Sequence, residues 1–380
     1  MPVLRKLFCN WEENDMVEWK KLGEIEDAGI LRLGRGQIIS KTDMRDNPGD
    51  FPVYSSSSQG DGEIGRYGLY MFDDERITWS IDGGGKLFYR NGLKYSVTNV
   101  GGWLKVYRND IYKTKFLYYL LYNQWTTKVF DYTHKAHPSV IRDEYLIPDI
   151  SIHEQTRIVE ILDTFTASIA NLKEQIKERR KQYEYYRDQL LDLEGKDGVK
   201  MKTLGEVGDV CMCKRIMKNQ TSDKGDVPFY KIGTFGSVPD SYISRELFES
   251  YKKLYSYPKK GDVLISASGT IGRTVVFDGK EAYFQDSNIV WIDNNEVLVT
   301  NSFLKYLYEI IEWKTDGGTI KRLYNYNLKS AIIYIPSLAE QHRIVSILDQ
   351  FEASIANLEA QLKEREKQYE YYRNQLLTFE

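Results

Sequence analysis

Few side chains in this 380-residue chain are spaced for catalysis. Cys211 and Cys213 could offer two thiolates to a zinc ion, but no second pair follows to complete a tetrahedral site. With Cys9 they are the only cysteines, too few for a disulfide framework. His134, His137, His153 and His342 lack metal-ligand spacing and read as loop or surface residues. Asp82-Gly83-Gly84-Gly85-Lys86 is glycine-rich but has neither Walker nor G-x-G-x-x-G spacing, so a turn is expected there. Neither a nuclease carboxylate cluster nor the Asn/Asp-Pro-Pro-aromatic motif of an amino-methyltransferase occurs. The chain reads as a binder without metal, cofactor or active site of its own.

Binding chemistry is better represented, as cations that could meet a polyanion. Net charge is −3, which argues against a strong non-specific electrostatic footprint. The sign is unevenly spread. Residues 1–152 carry 20 Lys+Arg against 21 Asp+Glu, and residues 195–333 carry 20 against 17. The remaining two segments hold 12 against 17. Two candidate DNA-binding sets follow. Arg66, Lys86, Arg90, Lys94, Lys128, Lys135 and His137 form the first. Lys214, Arg215, Lys218, Arg273, Lys321, Arg322 and Tyr324 form the second.

The elements that must position these residues announce themselves by repetition. Residues 154–194 and 340–380 are identical at 30 of 41 positions, at a constant offset of 186, and each copy follows an Ile-Pro. The period is too long for a solenoid and points to a duplicated half-molecule. In the first copy apolar residues recur at Ile158, Leu162, Phe165, Ile169, Leu172, Ile176, Tyr183, Tyr186, Leu190 and Leu193. In the second they are Ile344, Leu348, Phe351, Ile355, Leu358, Leu362, Tyr369, Tyr372, Leu376 and Phe379. This 4,3 spacing, interrupted only by Arg179 and Arg365, is that of a coiled-coil seam. The tyrosines are read as packing residues, and the arginines as fixing register or reaching solvent along their stems.

Fainter echoes join the segments between. Lys20-Lys21-Leu22-Gly23-Glu24-Ile25 resembles Lys202-Thr203-Leu204-Gly205-Glu206-Val207, and Gly49–Tyr54 resembles Gly225–Tyr230. Short β-prone runs at Arg76–Ile81, Asp262–Ser266, Thr274–Phe277 and Ile289–Ile292 sit among Gly, Asn and Asp. Phe116–Gln124 and Ser302–Glu312 read as helices. The expected class is α+β. Two mainly β domains with added helices (1–150 and 195–333) alternate with long helices (151–194 and 334–380) that pair as an antiparallel coiled coil. Such pairing would carry two non-identical heads to opposite ends of a pseudo-twofold rod.

No apolar run approaches the roughly 20 residues of a membrane span. The N-terminus has no signal-peptide core, so a cytoplasmic protein is expected, with Met1–Asp15 an irregular leader.

Ile-Pro followed by Glu-Gln-x-Arg-Ile-Val-x-Ile-Leu-Asp and a long helix, twice, each after a variable domain opening on Leu-Gly-Glu, resembles the specificity subunit of Type I restriction–modification systems. The resemblance covers essentially the whole chain. It implies two target-recognition domains, each reading half of an asymmetric bipartite site on double-stranded DNA. It also implies two modification subunits that use S-adenosylmethionine to methylate adenine at N6, and restriction subunits that use ATP and Mg. None of that chemistry would lie in this chain. The rival readings are a stand-alone DNA-binding regulator and a coiled-coil scaffold for protein partners.

Overall fold

The computed structural model describes residues 17–57, 60–316 and 321–379. The expected leader and Cys9 lie outside them. The chain divides into two compact units, one running to Lys173 and resuming at Ala360, the other spanning Glu174–Glu359.

The first head begins with β1 (Trp19–Lys21), α1 (Leu22–Asp27), β2 (Leu31–Arg35), α2 (Lys41–Asp46), β3 (Phe51–Tyr54) and β4 (Glu63–Tyr67). It continues through β5 (Arg76–Ser80), β6 (Leu87–Arg90), β7 (Ser96–Val97), β8 (Gly101–Val106), α3 (Thr114–Trp125), α4 (Pro138–Glu144) and β9 (Leu146–Pro148). The first long helix, α5, is Ile152–Leu191.

The second head repeats the order of strands, but carries its extra helix after its fourth strand where the first head has one before β3. It runs β10 (Lys200–Thr203), α6 (Leu204–Val207), β11 (Gly208–Met212), β12 (Val227–Tyr230), β13 (Tyr242–Ile243), α7 (Arg245–Leu254) and β14 (Val263–Ser266). Then come β15 (Thr274–Val276), β16 (Tyr283–Phe284), β17 (Ile289–Asn294), α8 (Asn301–Ile310), α9 (Asn325–Ser330) and β18 (Ile332–Ile335). The second long helix, α10, is Leu338–Leu377.

The sheets match strand for strand. The first head has a four-stranded sheet β2-β8-β5-β6 and a three-stranded sheet β4-β3-β7; the second has β11-β17-β14-β15 and β13-β12-β16. In both three-stranded sheets one edge is parallel, β3 with β7 and β12 with β16. Both heads close with an antiparallel pair of their terminal strands, β1 with β9 and β10 with β18. The four-stranded sheets carry a helix on one face. In the first head Phe116, Leu117, Leu120 and Leu121 of α3 pack on Ile77, Trp79 and Leu104. In the second, Phe303, Leu304 and Leu307 of α8 pack on Val263, Ile265 and Ile292. Each such side chain, fully removed from water, contributes about 1.5–3 kcal/mol. Because β5 and β14 are covered on both faces, they are buried throughout rather than alternating.

The repeated motif anchors each long helix to its own head. Gln155 is fully buried: its Oε1 accepts from Lys113 N at 2.9 Å, and its Nε2 donates to Ile111 O and Ile150 O at 2.9 and 3.1 Å. Gln341 does the same with Thr300 N, Leu298 O and Pro336 O at 2.9, 2.9 and 3.0 Å. Ser151 and Ser337 accept from the backbone N of Glu154 and Glu340, capping the helices. Glu154 and Glu340 pair with Arg157 and Arg343 three residues on. Tyr119 and Tyr306 donate to Asp163 and Asp349 at 2.6 and 2.5 Å.

The helices pair antiparallel within each unit. In the first, Phe165 lies against Tyr372 (5.3 Å between ring centroids) and Lys173 pairs with Glu366 at 3.0 Å. In the second, Tyr186 stacks on Phe351 at 5.4 Å and Arg180 pairs with Glu359 at 2.5 Å. Three features of the seam differ from its sequence pattern. Ile158, Leu162, Ile344 and Leu348 are buried in the cores of the heads. Arg179 and Arg365 lie over the rings of Phe351 and Phe165, at 5.8 and 5.7 Å, where the aromatic face attracts the cation. Tyr186 remains 47 % exposed, because two helices alone leave a flank of the seam uncovered. Ile176 and Leu376 are buried, while Ile169, Leu172, Tyr183, Leu190, Ile355, Leu358, Leu362, Tyr369 and Tyr372 are half-buried.

Candidate nucleic-acid interface

Antiparallel pairing brings the end of β2, the end of β5 and the start of β8 together, and the parallel β3–β7 edge adds the end of β3. Four connections therefore meet at one end of the sheets. In the first head Ser55 Oγ and Thr98 Oγ1 lie 2.7 Å apart, Ser56 Oγ donates to Val100 O at 2.6 Å, and Ser80 Oγ donates to Ser56 O at 3.1 Å. The Asp82–Lys86 run is the turn between β5 and β6. A Cβ on Gly83 would meet Ser56 O at 1.8 Å, and Gly85 sits at φ 75°, so both positions require glycine. Lys135 pairs with Asp82 at 3.0 Å, and Ala136 N donates to Ile81 O at 3.2 Å, tying in the segment before α4.

The second head builds the same cluster with different side chains. Leu323 N donates to Ala267 O at 2.9 Å, the counterpart of Ala136 and Ile81. Ser268 Oγ donates to Asn288 Oδ1 at 2.8 Å, and Arg215 pairs with Asp286 at 3.0 Å. Arg322 Nη2 donates to Ser287 Oγ at 3.1 Å, to Ser287 O at 3.4 Å and to Asn288 Oδ1 at 3.0 Å. Ser287 lies at φ 50°, a left-handed conformation unusual for a residue with a Cβ. Tyr324 occupies the cap position of α9 that His137 occupies in α4. Its ring stacks on Tyr326 at 5.7 Å and 5° between planes, both exposed.

The structure distributes the candidate cations unevenly. Lys86, Lys135 and His137 join the first cluster; Lys86 donates to Gly60 O at 3.3 Å and His137 contacts Ser139 Oγ at 2.9 Å. Arg215, Arg273, Arg322 and Tyr324 join the second, and Arg273 Nη1 donates to Phe235 O at 2.8 Å. Lys321 is exposed beside Arg322, and Lys218 is exposed in a short turn after β11. Lys214 is exposed with its ammonium 5.0 Å from the Tyr255 ring. Arg66 lies on β4, paired with Glu63 at 3.1 Å, and Lys94 sits 4.6 Å over Tyr70. Lys128, in the connection between α3 and α4, donates to Glu144 O at 3.1 Å. Arg90 is not on the surface at all. It is buried, Nε donating to Thr78 Oγ1 at 3.2 Å and Nη2 to Asp61 O, with its guanidinium 3.4 Å over Tyr54.

Sequence reasoning missed Ser268, Asp286, Ser287, Asn288 and Tyr326. The polar run Gln285–Asn288 and the alternation Tyr324-Asn325-Tyr326 were the available signals. The two described cysteines are free; Cys213 is buried, which pushes its thiol up to about 12.

A family model for the Type I restriction modification DNA specificity domain matches twice, over residues 15–179 and 196–367. The chain belongs to this family. A Haemophilus influenzae protein named as a type I restriction enzyme specificity subunit is 45 % identical over 394 residues, covering 97 % of each chain. The EcoR124I/EcoR124II specificity subunit of Escherichia coli is 32 % identical over 280 residues, covering 67 % of this chain and 65 % of that one. Among solved structures, the S subunit of a Type I system from M. genitalium superposes with a TM-score of 0.62 at 16 % identity, covering 96 % of this chain and 98 % of that one, which shows the shared fold. Type I specificity subunits are the non-catalytic, DNA-recognising members of their systems. In this specificity subunit each family match covers one head and the first part of the long helix that follows it. No described helix is long and apolar enough to cross a membrane.

Proposed function

We propose that each head reads one half of an asymmetric, bipartite site on duplex DNA through its loop cluster. The paired helices dock two adenine-N6 methyltransferase subunits and, through them, restriction subunits, in the cytoplasm. S-adenosylmethionine, ATP and Mg belong to those partners. One observation carries the reading. Two heads of identical strand order place chemically different side chains on the same set of loops, as expected of two readers of different sequences. Asn288, Ser268 and Tyr326 are groups suited to base edges in a groove, and Lys218 and Lys321 to phosphates. Docking accounts for the off-seam identity of the helices, Asn171 with Asn357, Gln175 with Gln361 and Gln182 with Gln368. Tyr185 and Tyr371 are likewise exposed to nearly the same extent, 62 % and 61 %. A seam alone would not hold these positions constant.

Exchanging residues 17–150 for those of a relative, in a complex reconstituted with its methyltransferase, tests this. Sequencing of N6-methyladenine should show one half-site changed and the other retained. Altered bases in both halves would defeat the two-reader arrangement. Absence of sequence-selective duplex binding would return the chain to the scaffold reading.

A further inference from the structure

In the second loop cluster Arg322 donates to three acceptors on a neighbouring loop. All three belong to Ser287 and Asn288. Ser287 is also one of three described non-glycine residues at positive φ. A left-handed serine is disfavoured, because its Cβ crowds the backbone, and it persists only where its surroundings hold it. Backbone bonds from Asn288 N to Asp286 O (2.6 Å) and from Ile289 N to Gln285 O (3.1 Å) close the turn, and Arg322 adds the side-chain part of the hold. Its guanidinium grips both the carbonyl and the hydroxyl of Ser287, then shares Asn288 Oδ1 with Ser268 Oγ. Three loops are thereby locked together: the one before α9, the β14–β15 turn and the β16–β17 turn. Among its described residues the first head ties the matching turn differently: Arg35, at the end of β2, donates Nε and Nη2 to the single carbonyl Asn99 O at 2.9 and 2.6 Å, Ser55 and Ser56 bond to Thr98 and Val100, and Lys135 pairs with Asp82 on the β5–β6 turn.

We propose that Arg322 is a positioning residue of the second head: it holds the Ser287–Asn288 turn in its left-handed pose so that this turn's polar groups are preset for reading bases, and does not itself contact DNA. The proposal rests on the DNA reading above. Two roles for an arginine here separate cleanly. A phosphate contact raises affinity for every sequence and adds about one to the slope of log affinity against log salt. A positioning residue acts on discrimination and leaves that slope alone.

The experiment uses the full chain in its methyltransferase complex, with duplexes carrying the methylated sequence and single-base variants of each half-site. The wild type must first discriminate among these; if it does not, the DNA-reading proposal fails before Arg322 is at issue. Given discrimination, Arg322→Gln should lower it about tenfold in the half-site left unchanged by the exchange of residues 17–150, the size of a typical single-base effect. The other half-site and the salt slope should stay as they were. Adding Ser287→Gly should restore much of the loss, because glycine adopts positive φ without needing to be held. Uniform weakening with a slope reduced by about one would overturn the proposal. So would unchanged discrimination in Arg322→Gln, or a double variant no better than the single one.

Discussion

The first and second heads share every sheet and fill the space between their sheets in opposite ways. In the second head that space is a continuous apolar cluster including Phe229, Phe248, Leu264, Phe277, Phe284 and Trp291. In the first, the cluster shrinks to Tyr54, Tyr95 and Val97, and arginines take over. Arg76 lies 3.8 Å over Phe72 and 4.7 Å over Trp103, paired with Asp74 at 2.5 Å. Arg90 stands opposite Arg76 on β6; in the second head Phe277 bonds back to Asp262 at the matching place. Arg90 and Phe277 are both 5 % exposed. Burial lowers the affinity of Arg90 for its proton, yet aromatic faces, a hydroxyl and a carbonyl hold the charge. One backbone topology thus tolerates two chemistries, provided each buried charge finds a partner.

The most disruptive way to break this comparison is to exchange the two side chains. Phe277→Arg places a charge among apolar residues with no acceptor prepared, and should destabilise the second head by about 3–5 kcal/mol. Arg90→Phe leaves Asp61 O and Thr78 Oγ1 without their donor, and should cost the first head about 1–3 kcal/mol. Hydrogen exchange of the β5 and β14 amides, read separately, checks both. Equal costs would show that the two inter-sheet spaces are interchangeable.

Where the heads agree, equal substitutions should have equal effects. Gln155→Leu and Gln341→Leu each strip three hydrogen bonds from a fully buried amide in the same geometry. Each should cost about 1–3 kcal/mol and loosen the first turns of its helix. Thermal unfolding with exchange at the helix starts is the measurement, and a twofold disparity between the pair would mean the anchors are not equivalent.

The smallest effect is one of sign. Burial alone would raise the Asp74 carboxyl, but hydrogen bonds from Arg76 and Lys105 outweigh it and hold the group below its ordinary value. Its contribution is complete above about pH 4, the unfolded value, and fades as pH falls. Asp262 is raised, chiefly by burial, so its contribution grows as pH falls and is lost as pH rises. Relative to Asp74→Asn and Asp262→Asn, acidification through pH 4 should therefore weaken the first head and strengthen the second. Parallel slopes would contradict both environments.

Much of the frame was legible residue by residue. The apolar runs placed β5, β14, β15 and β17 within one or two residues of their observed ends, and α3 and α8 within two. Ile158, Leu162, Ile344 and Leu348 show where periodicity falls short. Their spacing is the same whether a helix buries that face against another helix or against a domain, so the pattern announced burial and not its partner. The matched Glu-Gln-x-Arg motif was visible, but the three-way satisfaction of Gln155 was not, since its donor Lys113 N and its acceptor Ile111 O lie 42 and 44 residues away in sequence, just before α3.

By itself the sequence determined the duplication, the two long helices and the class of each head, because these rest on local period and turn chemistry. Only the tertiary structure decided which cations face solvent. Arg90 follows Leu87-Phe88-Tyr89 and Lys214 follows Val210-Cys211-Met212-Cys213, so a short apolar run precedes each and does not tell buried from exposed. Arg90 is buried because Tyr54 and Thr78 form a slot that accepts a guanidinium, while the apolar cluster around Phe277, at the matching place of the second head, would leave the same charge without a partner.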